Sequence, residues 1–191
     1  MRVGVTAGGT STKIDFGRLT APLLQAAATG TVDVMLFGRL ALSGAVGSSL
    51  FGHLDYGGQR FELQPGPIGG LGASYRLFGG AAPFLLPSFS YSIARSTARA
   101  PDDTRTTFTS RDYRLGVAVG KTLGGFAAPF VVGRCFGAGT SWPGVGGHGG
   151  DHYRYQVGVG SAFGLSQHFD TLVELAFLGE KRATLGLGYV F

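Results

Sequence analysis

The chain has 191 residues, of which 44% are hydrophobic and only 14% are charged, and its formal net charge is +5. Charged residues make up about 25% of a typical soluble domain, so the composition argues against an ordinary soluble protein. The Lys and Arg residues form no stripe interleaved with aromatic residues, which argues against nucleic acid as a partner. The single Cys135 excludes an internal disulfide and a thiolate-cluster metal site.

Hydrophobic residues are dispersed along the chain rather than gathered in long runs. The mean hydropathy is +0.21, yet no uninterrupted apolar run approaches the ~20 residues of a transmembrane helix. Apolar residues instead recur at every second position over short stretches, which is typical of β-strands. Short-period hydrophobicity of this kind is typical of a membrane β-barrel, in which apolar side chains face lipid and small or polar ones face the lumen.

The alternation predicts a closed antiparallel transmembrane β-barrel of about ten strands, with eight or twelve as even-numbered alternatives. The predicted strands lie near residues 1–8, 21–36, 40–52, 61–77, 82–98, 106–121, 126–138, 152–164, 170–179 and 182–191. The stretches from Gly9 to Leu19 and from Gly139 to Gly150 are predicted to be loops. Short connections alternate with longer polar ones, which is typical of short periplasmic turns and longer outer loops.

Two of these stretches are ambiguous. Residues 21–36 are rich in alanine and also fit a helix, but their β-branched residues and sustained alternation favour a strand. In residues 61–77, Phe61 and Leu63 are predicted to face lipid and Glu62 the lumen. Pro65 and Pro67 each remove a hydrogen-bond donor from that strand, so a bulge is predicted there.

The facing of the seventh strand depends on Arg134. Either Phe130, Val132 and Phe136 face lipid together with Arg134, or Pro129, Val131 and Cys135 face lipid. We prefer the second arrangement, because a charge at the middle of the bilayer costs about 2–4 kcal/mol.

The last ten residues give the sharpest motif. Leu185, Leu187, Tyr189 and Phe191 share one face of the predicted strand. This ending resembles the C-terminal signal by which bacterial outer-membrane β-barrels are recognised for insertion. Its polar, glycine, hydrophobic and terminal aromatic positions are occupied by Thr184, Gly186, Tyr189 and Phe191.

The resemblance is to the small OmpA-, OmpW- and omptin-like barrels as a class, and no single family is matched. It implies location in the bacterial outer membrane with both termini in the periplasm. It also implies contact with the barrel-assembly machinery during biogenesis, and with outer-membrane lipid and lipopolysaccharide afterwards. No signal peptide is visible at the start, so we expect the sequence to be a mature part or the barrel end of a longer protein.

A set of charged residues is predicted to face the lumen. It consists of Asp33, Glu62, Arg76, Asp112, Arg114, Arg134, Arg154 and Glu174. About ten strands give a bore only slightly wider than eight, which side chains can just fill. We therefore favour mutual pairing of these charges across the bore over an open channel.

Catalysis is the less favoured hypothesis. Omptin-like surface proteases use paired acidic residues opposite an Asp/His pair, and Asp102–Asp103 with Asp151–His152 suggest such a set. The pairs are contiguous here, whereas in omptins they are separated by one residue, so we predict no catalytic residues. His148 and His152 lack a third metal ligand at a suitable spacing, so neither a metal nor a cofactor is predicted.

The sequence is therefore interpreted as one outer-membrane β-barrel domain spanning residues 1–191. The favoured function is a non-enzymatic anchor, scaffold or adhesion element, with partner proteins of the envelope and membership of a larger envelope assembly as extensions of that role. The alternatives are a narrow channel for small solutes and an outer-loop hydrolase of the omptin type.

Overall fold

The computed structural model describes residues 1–79 and 82–191. Most of these residues lie in strands, and there is no helix among them. The strands are β1 Arg2–Phe16, β2 Leu19–Leu36, β3 Leu40–Tyr56, β4 Gln59–Leu63, β5 Gly66–Tyr75, β6 Phe84–Arg99, β7 Arg105–Gly120, β8 Ala127–Trp142, β9 Gly147–Asp151, β10 Tyr155–Gly164, β11 Phe169–Gly179 and β12 Lys181–Val190. A search of the described ranges for a helix able to cross a membrane found none.

The strands close into an antiparallel ring. Near the chain termini the ring contains ten strands, in the order β1, β2, β3, β5, β6, β7, β8, β10, β11, β12. The first and last strands, β1 and β12, pair with each other and so close the ring, with Arg2 opposite Val190 and Ser11 opposite Lys181. The prediction of a closed antiparallel barrel of ten strands is thereby confirmed.

Away from the termini the ring narrows. The β11–β12 hairpin turns at Glu180, level with Ser11 of β1. Beyond that tip β9 pairs directly with β1, with Asp151 opposite Ile14. The ring there consists of β1, β2, β3, β4, β6, β7, β8 and β9. We call the ten-stranded part the wide barrel and the eight-stranded part the cap.

The wide barrel has an apolar outer surface. Val46 and Leu71 are 72% and 71% exposed, although both are large aliphatic residues in the middle of strands. The same outer surface includes Val5, Val32, Leu42, Phe89, Leu115, Val117, Val131, Val159, Leu175, Phe177, Leu185 and Leu187. Polar residues such as Gln156 and Glu174 are instead buried inside. This polarity is the reverse of a soluble sandwich and fits a lipid environment.

The cap has the opposite polarity. Its interior holds a cluster of buried apolar side chains, which comprises Ile14, Phe16, Ala21, Leu23, Leu54, Phe61, Leu63, Ala98, Phe108 and Trp142. Trp142 is fully buried at the centre, with ring centroids 4.8 Å from Phe61 and 5.9 Å from Phe16. Its indole nitrogen donates to Thr106 Oγ1 at 2.8 Å, so its one polar group is satisfied inside the cap.

Several predicted boundaries are wrong, because segments predicted as loops are strands of the cap. β1 continues to Phe16, and β8 and β9 occupy most of residues 139–150. Polar residues on the outer face of the cap made these segments look like loops. Residues 21–36 are a strand as predicted, and in β8 Val131 is exposed while Val132 is buried, which confirms the preferred facing.

The predicted facing of residues 61–63 is also wrong. Phe61 and Leu63 are buried in the cap, and Glu62 lies on the outer surface. The predicted irregularity does exist, since the pairing breaks at Gln64–Pro65 between β4 and β5. Because side chains alternate along a strand, the break transfers odd-numbered residues from the inner face to the outer one. Leu71, beyond the break, therefore faces outward.

A second break, over residues 152–154, separates β9 from β10. Asp151 is half-buried before it, and Gln156 is buried after it. The inner face therefore passes from odd to even positions across these residues. As a result Arg154, which was predicted to face the lumen, is exposed, and so is His152.

Candidate functional site in the lumen

The largest charged cluster lies where the wide barrel meets the cap. Arg134 of β8 pairs with Glu174 of β11, with Nη2 and Oε2 2.7 Å apart, and donates to Gln156 Oε1 at 2.8 Å. Gln156 Nε2 in turn donates to Glu180 Oε1 at 3.2 Å. Arg114 of β7 donates to both carboxylate oxygens of Glu180, at 2.7 and 3.1 Å.

Asp112 completes this cluster, since Arg114 Nε donates to its Oδ2 at 2.6 Å. We call the six residues Asp112, Arg114, Arg134, Gln156, Glu174 and Glu180 the lumen network. It joins β7, β8, β10 and β11 to the tip of the short β11–β12 hairpin. Each arginine in it forms a forked, charge-assisted contact with a glutamate, the strongest class of hydrogen bond in proteins. The network therefore ties the hairpin tip to the neighbouring strands as far as β7.

A second charged cluster lies near the chain termini. Arg2 pairs with Asp33 through Nη1 at 2.8 Å and with Asp170 through Nη2 at 2.6 Å. These side chains are between 27% and 30% exposed, so they are less well shielded than the lumen network. A Cβ on Gly188 would lie 2.4 Å from Arg2 Nη2. The glycine therefore leaves the space that the guanidinium group occupies.

The eight predicted lumen residues divide into two groups. Asp33, Asp112, Arg114, Arg134 and Glu174 lie in the two clusters. The predictions for Glu62 and Arg154 are wrong, because both are exposed and form no ion pair in the described ranges. Arg76 is also exposed and without an ion pair there, and its facing stays a prediction. Glu62 and Arg154 lie at the strand breaks, and Arg76 lies beyond the end of β5.

Two acidic partners in these clusters were absent from the predicted set. Asp170 has the same strand parity as Glu174, so the alternation could have identified it. Glu180 lies in a turn between two strands, where no periodicity applies. Its role depends on burial of its side chain at the tip of a short hairpin, which no local sequence signal indicates.

A cavity of about 500 Å³ lies in the lumen between the Arg2 cluster and the cap. Its wall carries many hydroxyl groups, which come from Thr6, Thr10, Thr12, Thr29, Thr31, Ser43, Ser90, Ser92, Ser110 and Thr140. Charged residues of both signs also line it, among them Arg114, Glu180 and Arg182. The interior is therefore polar. Arg114 and Glu180 pair with each other, whereas Arg182 donates to Thr184 Oγ1 at 3.2 Å and forms no ion pair in the described ranges.

The acidic and histidine residues considered for hydrolysis are placed on the cap. Asp102 accepts from the backbone nitrogen of Thr104 at 3.0 Å, and this contact lowers the pKa of Asp102. Asp103 pairs with Arg99. Asp102 and Asp103 thus stabilise the β6–β7 turn.

His152 lies on the outer surface, where its Nδ1 is 3.0 Å from Asp15 Oδ2. Thr20 donates to Asp15 at 2.7 Å, and this bond, with the His152 contact, lowers the pKa of Asp15. His148 is exposed on β9. Within residues 1–79 and 82–191, no group of three or more His, Cys, Asp or Glu side chains could hold a metal ion.

The four residues of the C-terminal motif lie on β12 and at its end. Thr184 and Gly186 face inward, opposite Gly8 and Thr6 of β1. The Tyr189 ring contacts the Phe191 ring, with centroids 4.8 Å apart, and the backbone nitrogen of Phe191 donates to the carbonyl of Met1 at 3.0 Å. The motif therefore lies at the seam that closes the ring, and its role as an insertion signal stays a prediction.

Comparison with solved structures identifies the same architecture elsewhere. The β domain of the Bordetella autotransporter BrkA is 14% identical, with 100% of both chains covered and a TM-score of 0.57. The outer-membrane protease OmpT from Escherichia coli is 12% identical, with 100% of this chain and 96% of that chain covered and a TM-score of 0.56. This chain has the outer-membrane β-barrel fold.

An outer-membrane channel from Pseudomonas putida F1 also shares the fold, at 10% identity, with 100% of this chain and 95% of that chain covered and a TM-score of 0.52. No protein-family model and no curated protein sequence matches the chain. Identities this low show the fold alone. The role of this outer-membrane barrel must therefore be inferred from its own interior and surface.

Proposed function

We propose that this chain is an integral outer-membrane β-barrel that acts as a non-enzymatic anchor, scaffold or adhesion element. The observation that supports this role is the cap, in which a buried apolar cluster around Trp142 fills the ring of eight strands. Eight strands enclose an interior that side chains can just fill. A solute would therefore meet a packed core at this end of the lumen.

The lumen network supports the same role. Arg114 and Arg134 are paired with Glu180 and Glu174, so neither guanidinium group is free to attract a passing anion. A selective anion pore requires unpaired cationic groups along its path. Paired charges along the lumen wall instead tie neighbouring strands together, as an anchor requires.

We propose that the termini face the periplasm and the cap faces the cell exterior. The apolar outer surface belongs to the wide barrel, whereas the outer face of the cap carries residues such as Lys13, Asp15 and Arg60. In bacterial barrels the longer extensions beyond the lipid lie on the extracellular side, and the periplasmic turns are short. Protease accessibility of the Asp102–Asp103 turn on intact cells would test this orientation.

A narrow channel is the second candidate, and the lumen cavity of about 500 Å³ favours it. Planar-bilayer recording of the purified barrel separates the two roles. The anchor role predicts no steady conductance in the wild type. A stable ohmic current, reproduced in independent preparations, would overturn the anchor role and favour the channel.

The omptin-like hydrolase has no comparable support. Asp102 and Asp103 are engaged in a turn, and His152 contacts Asp15 on the outer surface. Cleavage of peptides by cells that express the chain, lost on Asp103→Asn or His152→Ala, would favour that alternative over the anchor role.

A further inference from the structure

Five exposed cationic residues lie on the outer surface where the wide barrel meets the cap. They are Lys13 of β1, Arg95 of β6, Arg111 of β7, Arg154 beside β10 and Lys181 of β12. None of them forms an ion pair in the described part of the chain. We call these five residues the cationic arc, because they follow the ring from β6 to β1, across seven of the ten strands of the wide barrel.

The arc borders the apolar outer surface directly. Tyr91 and Tyr113 face each other across β6 and β7 and are 40% and 56% exposed. Arg111 is the outward residue two positions before Tyr113 on β7, on the side of the cap, and Tyr155 is next to Arg154. Tyrosine rings prefer the depth of the lipid head groups. The cations that follow them therefore lie where head-group phosphates would be.

Neighbouring members of the arc carry like charges at close range. Ile93 is opposite Arg111, which places Arg95 diagonal to Arg111. Ser11 is opposite Lys181, which places Lys13 diagonal to Lys181. Diagonal neighbours on adjacent strands are about 7–8 Å apart, and like charges in contact destabilise a sheet. An anion bound between the two members of a pair would remove that repulsion.

The unpaired state of the arc contrasts with other cations of the cap. Arg60 pairs with Asp55, and Arg99 pairs with Asp103, in both cases within one hairpin. Glu62 of β4 lies opposite Arg99 of β6, so an acidic residue is present at the outer surface beside the β6 end of the arc. Acidic residues are therefore present at this outer surface, but Asp15, the next outward residue after Lys13 on β1, is already engaged by Thr20 and His152.

We propose that the cationic arc binds the phosphate groups of lipopolysaccharide in the outer leaflet. This inference rests on the proposed orientation, with the cap outside the cell. A ligand for the arc must carry anionic groups at head-group depth and acyl chains that lie along the apolar surface below. Arginine forks bind phosphate through paired hydrogen bonds, and the diagonal pairs present two cations to one phosphate.

The test compares two sets of variants in the purified, folded barrel. The arc variant carries Lys13→Gln, Arg95→Gln, Arg111→Gln and Lys181→Gln. The control carries Arg39→Gln, Arg76→Gln and Lys121→Gln, which remove three exposed cations near the termini, so the two sets are compared per cation removed. Lipopolysaccharide is titrated into barrels in neutral detergent, and binding is followed by native mass spectrometry. Heat-modifiable migration verifies that each barrel is folded.

We expect the affinity of the arc variant for lipopolysaccharide to fall about fivefold for each cation removed, because each Lys or Arg near an anionic surface contributes ~1 kcal/mol. The control should bind like the wild type, and phosphatidylglycerol should compete poorly. Equal losses in both sets, or unchanged binding in the arc variant, would overturn the proposal. If the fourfold variant fails to fold, Arg111→Glu alone gives the same comparison.

Failure of this proposal can be distinguished from failure of the anchor role. A conducting wild-type barrel that still loses lipopolysaccharide binding in the arc variant would overturn the anchor role alone. A wild-type barrel without conductance, together with unchanged lipopolysaccharide binding in the arc variant, would overturn the proposal for the cationic arc alone.

Discussion

The wide barrel and the cap use one strand pattern with opposite polarity. In the wide barrel the outer residues, such as Val46, are apolar, and inner residues such as Glu174 are polar. In the cap the inner residues, such as Leu54, are apolar, and outer ones such as Lys13 are polar. The surrounding medium explains the difference, because apolar side chains are excluded from water and tolerated by lipid.

The change in strand number makes this inversion possible. The short β11–β12 hairpin ends at Glu180, and the ring beyond it loses two strands. The narrower interior can be filled by side chains, so the cap has a packed core like that of a soluble domain. The wider interior below is filled in part by the lumen network and keeps a cavity of about 500 Å³. Stability should therefore come from packing in the cap and from ion pairs in the wide barrel.

Truncation in the cap core should have the largest effect. Trp142→Ala removes the fully buried centre of the cluster, and we expect a loss of about 3–5 kcal/mol in the free energy of unfolding, because a cavity remains. The matched truncation Phe177→Ala on the outer face of the wide barrel should cost less, since lipid fills the space. Urea unfolding in lipid vesicles measures both. Equal losses would mean that the cap is not packed like a soluble core.

Breaking an ion pair tests the other region. Glu174→Ala leaves the guanidinium group of Arg134 without its carboxylate partner at a largely buried site. We expect a loss of about 3 kcal/mol, which is the typical cost of stranding a buried charge.

The control for that prediction is the double variant Arg134→Met with Glu174→Leu, which removes both charges together. It should unfold close to the wild type, because apolar replacement of a whole buried pair is often neutral. A double variant as unstable as Glu174→Ala would show that the pair itself, rather than an uncompensated charge, determines the stability.

The sequence predicts the wide barrel well, because apolar residues there alternate outward and small or polar residues inward along each strand. The prediction from alternation fails at the two strand breaks. There the interruption of the strand moves the following side chains to the opposite face. Glu62 and Arg154 follow the parity of a continuous strand, but Pro65 and residues 152–154 interrupt it. Gly66 lies at the first break, where a Cβ would be 1.9 Å from the carbonyl oxygen of Arg95.

The cap was not predicted from the sequence, because its strands lack the apolar outer face that marks the strands of the wide barrel. Its outer residues are polar and its turns are tight, so β1 beyond Gly9 and the β8–β9 hairpin resemble solvated loops. Trp142 could be assigned to a core only once the ring of eight strands was known. Contacts such as Glu180 with Arg114 join residues far apart in the chain, and alternation carries no information about them.

The Arg2 cluster should contribute less than the lumen network, which sharpens the comparison within the wide barrel. Arg2→Ala leaves Asp33 and Asp170 without their shared partner, but all three side chains are partly exposed. Because solvent screens such pairs, we expect a loss of only about 1–2 kcal/mol in unfolding free energy. Added salt should reduce this loss more than it reduces that of Glu174→Ala. Identical salt dependence would mean that the Arg2 cluster and the lumen network are equally exposed to solvent.

The smallest expected effect lies at the boundary between the two regions, on the outer face of β8. The ring of Tyr113 lies across Gly137, where a Cβ would be 2.4 Å from the tyrosine oxygen. Gly139, the next outward position, has open space around an added Cβ. Alanine in place of a strand glycine normally stabilises by roughly 0.5–1 kcal/mol.

Gly139→Ala should therefore gain that amount, whereas Gly137→Ala should lose it by displacing the tyrosine ring. We expect the two variants to differ by about 1–2 kcal/mol in unfolding free energy. If Tyr113 marks the depth at which lipid gives way to head groups, its quenching by lipid-attached probes should change in Gly137→Ala alone. Equal stability and equal quenching in the two variants would mean that the ring does not rest on Gly137.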